Sequence, residues 1–202
     1  MKKVMISQPR YLPSVSYLER IKKADVFVIL DTVQRVERGF ENRNKIKDKN
    51  GAEKWLTIPI RSSNRTLIKD TITDGLEWKI DHLNKVRNYY NNVMMEFYFD
   101  AYLNVMDTER YCENLVKGLI YLKSIFNIKT EFVLASTISN VSNGGIEELV
   151  RLVKGVNGDT YISGATCLEY GFTHEYAQSN DLILEIDNST KYMTWIETIE
   201  KG

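Results

Sequence analysis

The chain has 202 residues, enough for one domain or one domain with a sizeable insertion, and enough to bury a core without disulfides or metals. Lys plus Arg equal Asp plus Glu at 27 each, so no net charge supports a general nucleic-acid or membrane-surface binder. Cys112 and Cys167 lie far apart and outside any metal-ligand spacing, so they read as thiols of a reducing cytosol. The apolar run after Met1-Lys2-Lys3 stops at Ser7, which predicts no signal peptide; no apolar run nears the roughly 18 residues of a membrane span.

In chain order, residues 3–7 read as a strand, about 14–23 as a helix and 25–30 as a second strand. Tyr17, Leu18 and Ile21 recur at helical spacing, which makes this a short parallel βαβ unit. Arg43–Lys47 and Glu53–Ile60 flank Asp48-Lys49-Asn50-Gly51, the strongest short-range hairpin signal. Trp78, His82, Val86 and Tyr89 predict one face of a helix. A second helix is expected over Thr108–Phe126, capped by Asp107 or Thr108, with the aromatic-rich segment Met94–Asn104 buried between the two. The last third alternates again. Phe132–Ser136, Thr160–Ser163 and Leu182–Ile186 read as strands, and Gly145–Gly155 and Thr166–Ser179 as helices. The expected fold is α/β, a mainly parallel, Rossmann-like sheet. A β-hairpin at about 42–60 and a helical insertion at about 76–127 interrupt one domain spanning 1–202.

Candidate site residues follow from this layout. Gln8 and Tyr11 sit in a turn stiffened by Pro9 and Pro13, and a stiff loop loses little entropy on binding. Asp31 and Gln34 end the second strand, on the rim where α/β ligands bind; a cap or turn role for Asp31 remains open. Asn42-Arg43-Asn44-Lys45 combines a guanidinium fork, a point charge and two amides into a candidate anion-binding edge. His82 is either a general base or a packed, hydrogen-bonded histidine of its apolar stripe. Ser163-Gly164 ends a strand and opens a helix, where backbone N–H groups can meet an anion. The sequence has no phosphate-binding P-loop, no Gly-x-Gly-x-x-Gly, no Gly-x-Ser-x-Gly and no His-Glu-x-x-His.

Taken as a set, these segments resemble the WbqC-like family. The resemblance rests on Ile6–Pro13, Tyr17, Asp25–Gln34, Asn42–Ile46, Trp55–Pro59, Trp78 with His82, and Tyr161–Gly164, in the family's order across most of the chain. Ser14, Ser16, Thr32 and Arg35 depart from the family pattern. The resemblance implies a bacterial cytoplasmic protein linked to O-antigen, lipopolysaccharide and other surface-polysaccharide gene clusters, with glycine-type aminoacyl transfer to a sugar as the suggested activity.

On that implication the chain is an amide-forming transferase acting on a nucleotide-linked amino sugar. Arg43 and Lys45 would hold phosphate or carboxylate, and Asp31 or His82 would take a proton from the amine. Gln8, Tyr11, Asn42 and Asn44 would orient the sugar, with Gln34 on the same rim. Ser163 and Gly164 would hydrogen-bond the acyl donor, either ATP-derived or an acyl thioester, and no metal is expected. Two alternatives stay open: a non-catalytic sugar-nucleotide-binding or scaffold protein, and a nucleotidyltransferase-like adenylate-forming enzyme. Neither nucleic-acid binding nor membrane insertion is expected, and a homodimer is left open.

Overall fold

The computed structural model describes residues 1–37, 39–63, 65–138, 145–189 and 193–199. In chain order the elements are β1 (Lys3–Ser7), α1 (Val15–Lys23), β2 (Val26–Ile29), β3 (Arg43–Lys47), β4 (Glu53–Thr57), α2 (Trp78–Tyr89), α3 (Val93–Asn104) and α4 (Tyr111–Ile125). They continue with β5 (Glu131–Leu134), α5 (Ala135–Ile138), α6 (Ile146–Gly155), β6 (Thr160–Ser163), α7 (His174–Ser179), β7 (Ile183–Ile186) and α8 (Trp195–Ile199). The chain divides into two compact units. The first holds Met1–Gln8, Ser16–Val33 and Ile128–Lys191; the second holds Pro9–Val15, Gln34–Asn127 and Tyr192–Gly202.

The first unit is built on a five-stranded sheet in the order β5-β2-β1-β6-β7, every pairing parallel. Its strands read as near-continuous apolar runs, as strands buried on both faces must; all four residues of β2 are buried. Val4, Ile6, Val26 and Val28 pack with Leu152 and Val153 of α6 and Ala177 of α7. On the alternate residues, Phe27 meets Tyr17 of α1 edge-on at 5.9 Å and Phe132 at 5.3 Å. Helices therefore cover both faces, and each fully buried aliphatic side chain contributes roughly 1.5–3 kcal/mol. The fold class expected from the sequence is present: a mixed α/β chain with a parallel sheet and a separate hairpin.

The second unit holds that hairpin and the middle helices. β3 and β4 pair antiparallel from Arg43 opposite Thr57 to Lys47 opposite Glu53. Asp48 closes the turn by accepting from the backbone of Asn50 and Ala52, and Gly51 takes φ +79°. Trp78, His82 and Val86 form the buried face of α2, though Tyr90 rather than Tyr89 is buried at its end.

Three element expectations need correction. Met94–Asn104 is a helix, started by the Asn92 side chain accepting from Met95 N, and only part of it is buried: Met95, Phe99, Tyr102 and Leu103 face inward while Val93, Met94 and Phe97 are exposed. Helix α4 begins at Tyr111 rather than Thr108, because the Asn114 amide folds back to bond the Thr108 backbone and keeps that turn outside the helix. The expected helix over Thr166–Ser179 is split. A single 3₁₀ turn at Ala165–Cys167 ends before Gly171, which takes φ +93°, and α7 starts afresh behind its Thr173 cap.

Candidate functional site

In the first unit the sheet's own strands lie in the order third, second, first, fourth, fifth. The winding direction therefore reverses between β1 and β6, and open α/β sheets bind ligands at the carboxyl ends flanking such a reversal. A cavity of about 420 Å³ lies there, lined by Ile6, Ser7 and Gln8 of β1 and its exit, Tyr161 of β6, Tyr170, and Glu148 with Leu149 in the first turns of α6. Its size falls within the ordinary range for small-molecule sites. The Gln8 carbonyl accepts from the Tyr17 hydroxyl at 2.8 Å, fixing the exit of β1 against α1. Burial and the nearby Tyr170 hold the Tyr161 phenol well above its usual pKa, so it stays a neutral donor.

Sequence reasoning missed three groups around this rim. Glu148 is 3 % exposed. The Arg151 guanidinium lies beside its Oε2 as an ion pair without hydrogen-bond geometry, and Oε1 has no partner among the described residues. The signal for Glu148 was its phase: it precedes buried Leu152 by one helical turn, on the apolar stripe. Arg20 is the second group. Its Nε donates to Asp187 at 3.1 Å, Lys23 holds the other carboxylate oxygen at 2.9 Å, and the rest of the guanidinium lies on Gly164. Burial disfavours the Asp187 carboxylate, but the bonds from Lys23 and Arg20 outweigh it and lower its pKa. Tyr170 is the third; being exposed and in a loop, it carried no sequence signal.

Of the residues expected from sequence, this unit holds Gln8, Asp31, Ser163 and Gly164. Asp31 is buried, and both its oxygens are taken by Ser136: the backbone N–H at 2.9 Å and the hydroxyl at 2.6 Å. That pins the end of β2 to the start of α5. Ser163 is buried, with side-chain hydrogen bonds to Tyr161 and Cys167. Gly164 has no side chain to hold Arg20 away: a Cβ there would sit 3.2–3.4 Å from the guanidinium.

The second unit holds the others. Leu12 takes φ +45°, a conformation that costs a leucine on the order of 1–3 kcal/mol. It is held by its N–H donating to the Tyr102 hydroxyl at 3.1 Å and its carbonyl accepting from Asn44 Nδ2 at 2.6 Å. Beside it, Tyr11 is fully buried; its N–H donates to the Glu41 carbonyl and its hydroxyl lies 2.7 Å from His82 Nδ1. Burial, then the neighbouring Tyr102 and Asp81, raise the Tyr11 pKa well above normal, so the hydroxyl donates and Nδ1 accepts. Burial lowers the His82 pKa to about 4, Asp81 and a backbone hydrogen bond at Thr57 opposing and Lys85 assisting. His82 is thus neutral at physiological pH and engaged on its ring.

The polar run Asn42–Lys45 is divided by strand periodicity. Asn42 and Asn44 are buried, Asn42 donating to the Ile58 carbonyl. Arg43 and Lys45 lie on the other face, 4.1 and 5.1 Å from the centre of the Trp55 ring, with Lys45 paired to Glu53. Gln34 is exposed, in an isolated bridge to Leu67. A second cavity, about 620 Å³, is lined by Arg10, Phe40, Asn44, Lys45, Lys47, Glu53 and Glu197 among others. Its charges are of both signs.

Among the described residues no group of three or more His, Cys, Asp or Glu could hold a metal, and no helix is long and apolar enough to cross a membrane. Cys112 and Cys167 are buried and not disulfide-bonded.

No solved structure matches the chain. The Mycobacterium tuberculosis (strain ATCC 25618 / H37Rv) protein named "Uncharacterized protein Rv1507c" is 27 % identical over 177 residues, covering 84 % of this chain and 75 % of that protein. The sequence profile of the WbqC-like protein family matches residues 8–196. That match takes in nearly all of both compact units, from Gln8 at the cavity to the buried Trp195 of α8, and the chain belongs to the WbqC-like protein family.

Proposed function

We propose that this chain binds a nucleotide-linked amino sugar in the cavity between the ends of β1 and β6 and forms an amide on it, as a step of bacterial surface-polysaccharide biosynthesis. The observation that carries the reading is the cavity itself, at the winding reversal of a doubly wound parallel sheet. The chemistry and the pathway come from what family resemblance implies. In this reading Gln8 and the Tyr170 hydroxyl orient the sugar. Arg20, tied to Asp187 and resting on Gly164 just past the end of β6, meets phosphate or carboxylate outside the cavity lining. Asp31 acts as a positioning residue, since both its oxygens are already hydrogen-bonded within the protein, while His82 is engaged with Tyr11 in the other unit. Arg43 and Lys45, on their open hairpin face, offer a second place for an anion. The acyl donor is an adenylate made from ATP or a thioester: the amine nitrogen bonds the acyl carbon and gives up a proton, and the acyl–oxygen or acyl–sulfur bond breaks to release AMP or the free thiol.

The test is incubation with UDP-glucosamine, together with glycine plus ATP or with acetyl-coenzyme A, and mass analysis of the sugar nucleotide. Amide product that falls at least tenfold in Gln8→Ala and Arg20→Ala supports the proposal. UDP-glucosamine that binds but is never acylated favours the non-catalytic binding protein, a reading the engagement of Asp31 and His82 already suits. Absence of binding overturns both.

A further inference from the structure

A carboxylate buried away from water needs donors or a matched charge on both oxygens. Glu148 has them on one side only. Arg151 faces Oε2 from a position nearly half exposed, while Oε1 has no donor among the described residues. Nor does Glu148 cap its own helix, because neither oxygen hydrogen-bonds an amide of the first turn of α6. Around it the cavity is lined by apolar Ile6, Leu30, Val33, Ile146 and Leu149, and the polar side chains of Ser7, Gln8 and Tyr170 in the same lining make no hydrogen bond to Oε1. The hydroxyl of Tyr161 is already hydrogen-bonded to Ser163 and Tyr170. No described residue supplies the missing donor, and a ligand in the cavity can. A hydroxyl would satisfy a lone pair of Oε1, but an ammonium also balances the charge, and charge-assisted bonds are about twice as strong as neutral ones.

We infer that Glu148 is the recognition group for a primary amine, and that the amine-bearing end of the ligand enters this cavity first, against α6. This rests on the small-molecule reading of the cavity and adds which substituent of the sugar the protein selects. Glucosamine and glucose, which differ by amine against hydroxyl at one carbon, are the probes, titrated calorimetrically into the full chain and into Glu148→Gln.

At least a tenfold preference for glucosamine in the parent chain, abolished in Glu148→Gln, supports the inference. Equal binding of the two sugars, absence of glucosamine binding, or an undiminished preference in Glu148→Gln overturns it. Thermal unfolding gives an independent readout. A carboxylate kept for a ligand burdens the unliganded fold, so Glu148→Gln holds or raises Tm; a carboxylate kept for its pair with Arg151 makes Glu148→Gln lower it. Should Glu148→Gln fail to fold, Arg151→Ala decides: its glucosamine preference is kept or increased if Glu148 serves the ligand, and its loss overturns the assignment. A glucosamine preference alongside no acylation of UDP-glucosamine leaves Glu148 as an amine site and removes only the amide-forming chemistry.

Discussion

Tyr11 and His82 show how residues with catalytic credentials can be spent on structure. The pair sits under the left-handed Leu12, and each partner satisfies a polar atom the other would leave buried and alone. Tyr11→Phe leaves Nδ1 without its donor and is expected to cost about 1–3 kcal/mol, read as a fall in the urea midpoint at constant slope. The histidine also sets a pH dependence. Its pKa is about 4 folded against 6.5 as the ordinary value, so the unfolded chain binds the extra proton first as pH falls. Stability contributed by neutral His82 is complete above pH 6.5 and is lost progressively between 6.5 and about 4, roughly 3 kcal/mol in all. Urea unfolding of His82→Gln should show a shallower fall across that window; an unchanged slope would sink the assignment. The sequence stated both options for His82, and only the 2.7 Å contact with Tyr11, 71 residues away, separates them. Glu148 was missed for a related reason. Glu147 and Glu148 are chemically alike, and helical phase alone buries the second.

At the scale of elements, legibility followed periodicity. The apolar strands β1, β2 and β6 and the Asn-Gly hairpin announced themselves because period-two alternation or continuous burial leaves few other readings. Helix α3 did not, since Val93–Asn104 is apolar nearly all round and aromatic bulk masks its 3.6-residue period. Its start depends on one residue. Asn92→Ala should cost about 1 kcal/mol by removing the bond to Met95 N, a loss of roughly 2–4 °C in Tm by calorimetry. The same alternation that revealed β3 also divided the site expected on it. Arg43 and Lys45 cannot share a strand face with Asn42 and Asn44, so a polar run in sequence is two separate features in space. Gly164→Ala probes the opposite case, where an absent side chain makes room. Its Cβ would press on the Arg20 guanidinium, so weaker binding of UDP-glucosamine with Tm nearly unchanged is expected.

For the whole molecule, neither unit is a continuous stretch of chain. The second unit takes in Pro9–Val15 near the start and α8 near the end, where Trp195 is fully buried at 5.2 Å from Tyr102 and 6.4 Å from Phe99. Trp195→Ala should cost about 3–5 kcal/mol, seen as a marked drop in the urea midpoint, although the residue lies more than 90 positions from either partner. Sequence inspection reaches neighbours in the chain, so the hairpin and helices α2 and α4 were readable while this closure by α8 was not.

The parallel pairing of β1 with β6 carries a consequence for how the protein is made. Lys2 and Asp159, bonded at the mouth of that pairing, are separated by 157 positions. A ribosome adding some 5–20 residues per second therefore holds β1, once β2 has paired with it, with one bare edge for roughly 7–30 s. Through that interval the central strand of the sheet is a template for any extended segment nearby. The crevice between β1 and β6 thus comes into being only when the last third of the chain has emerged, and a stalled or shortened nascent chain is expected to aggregate.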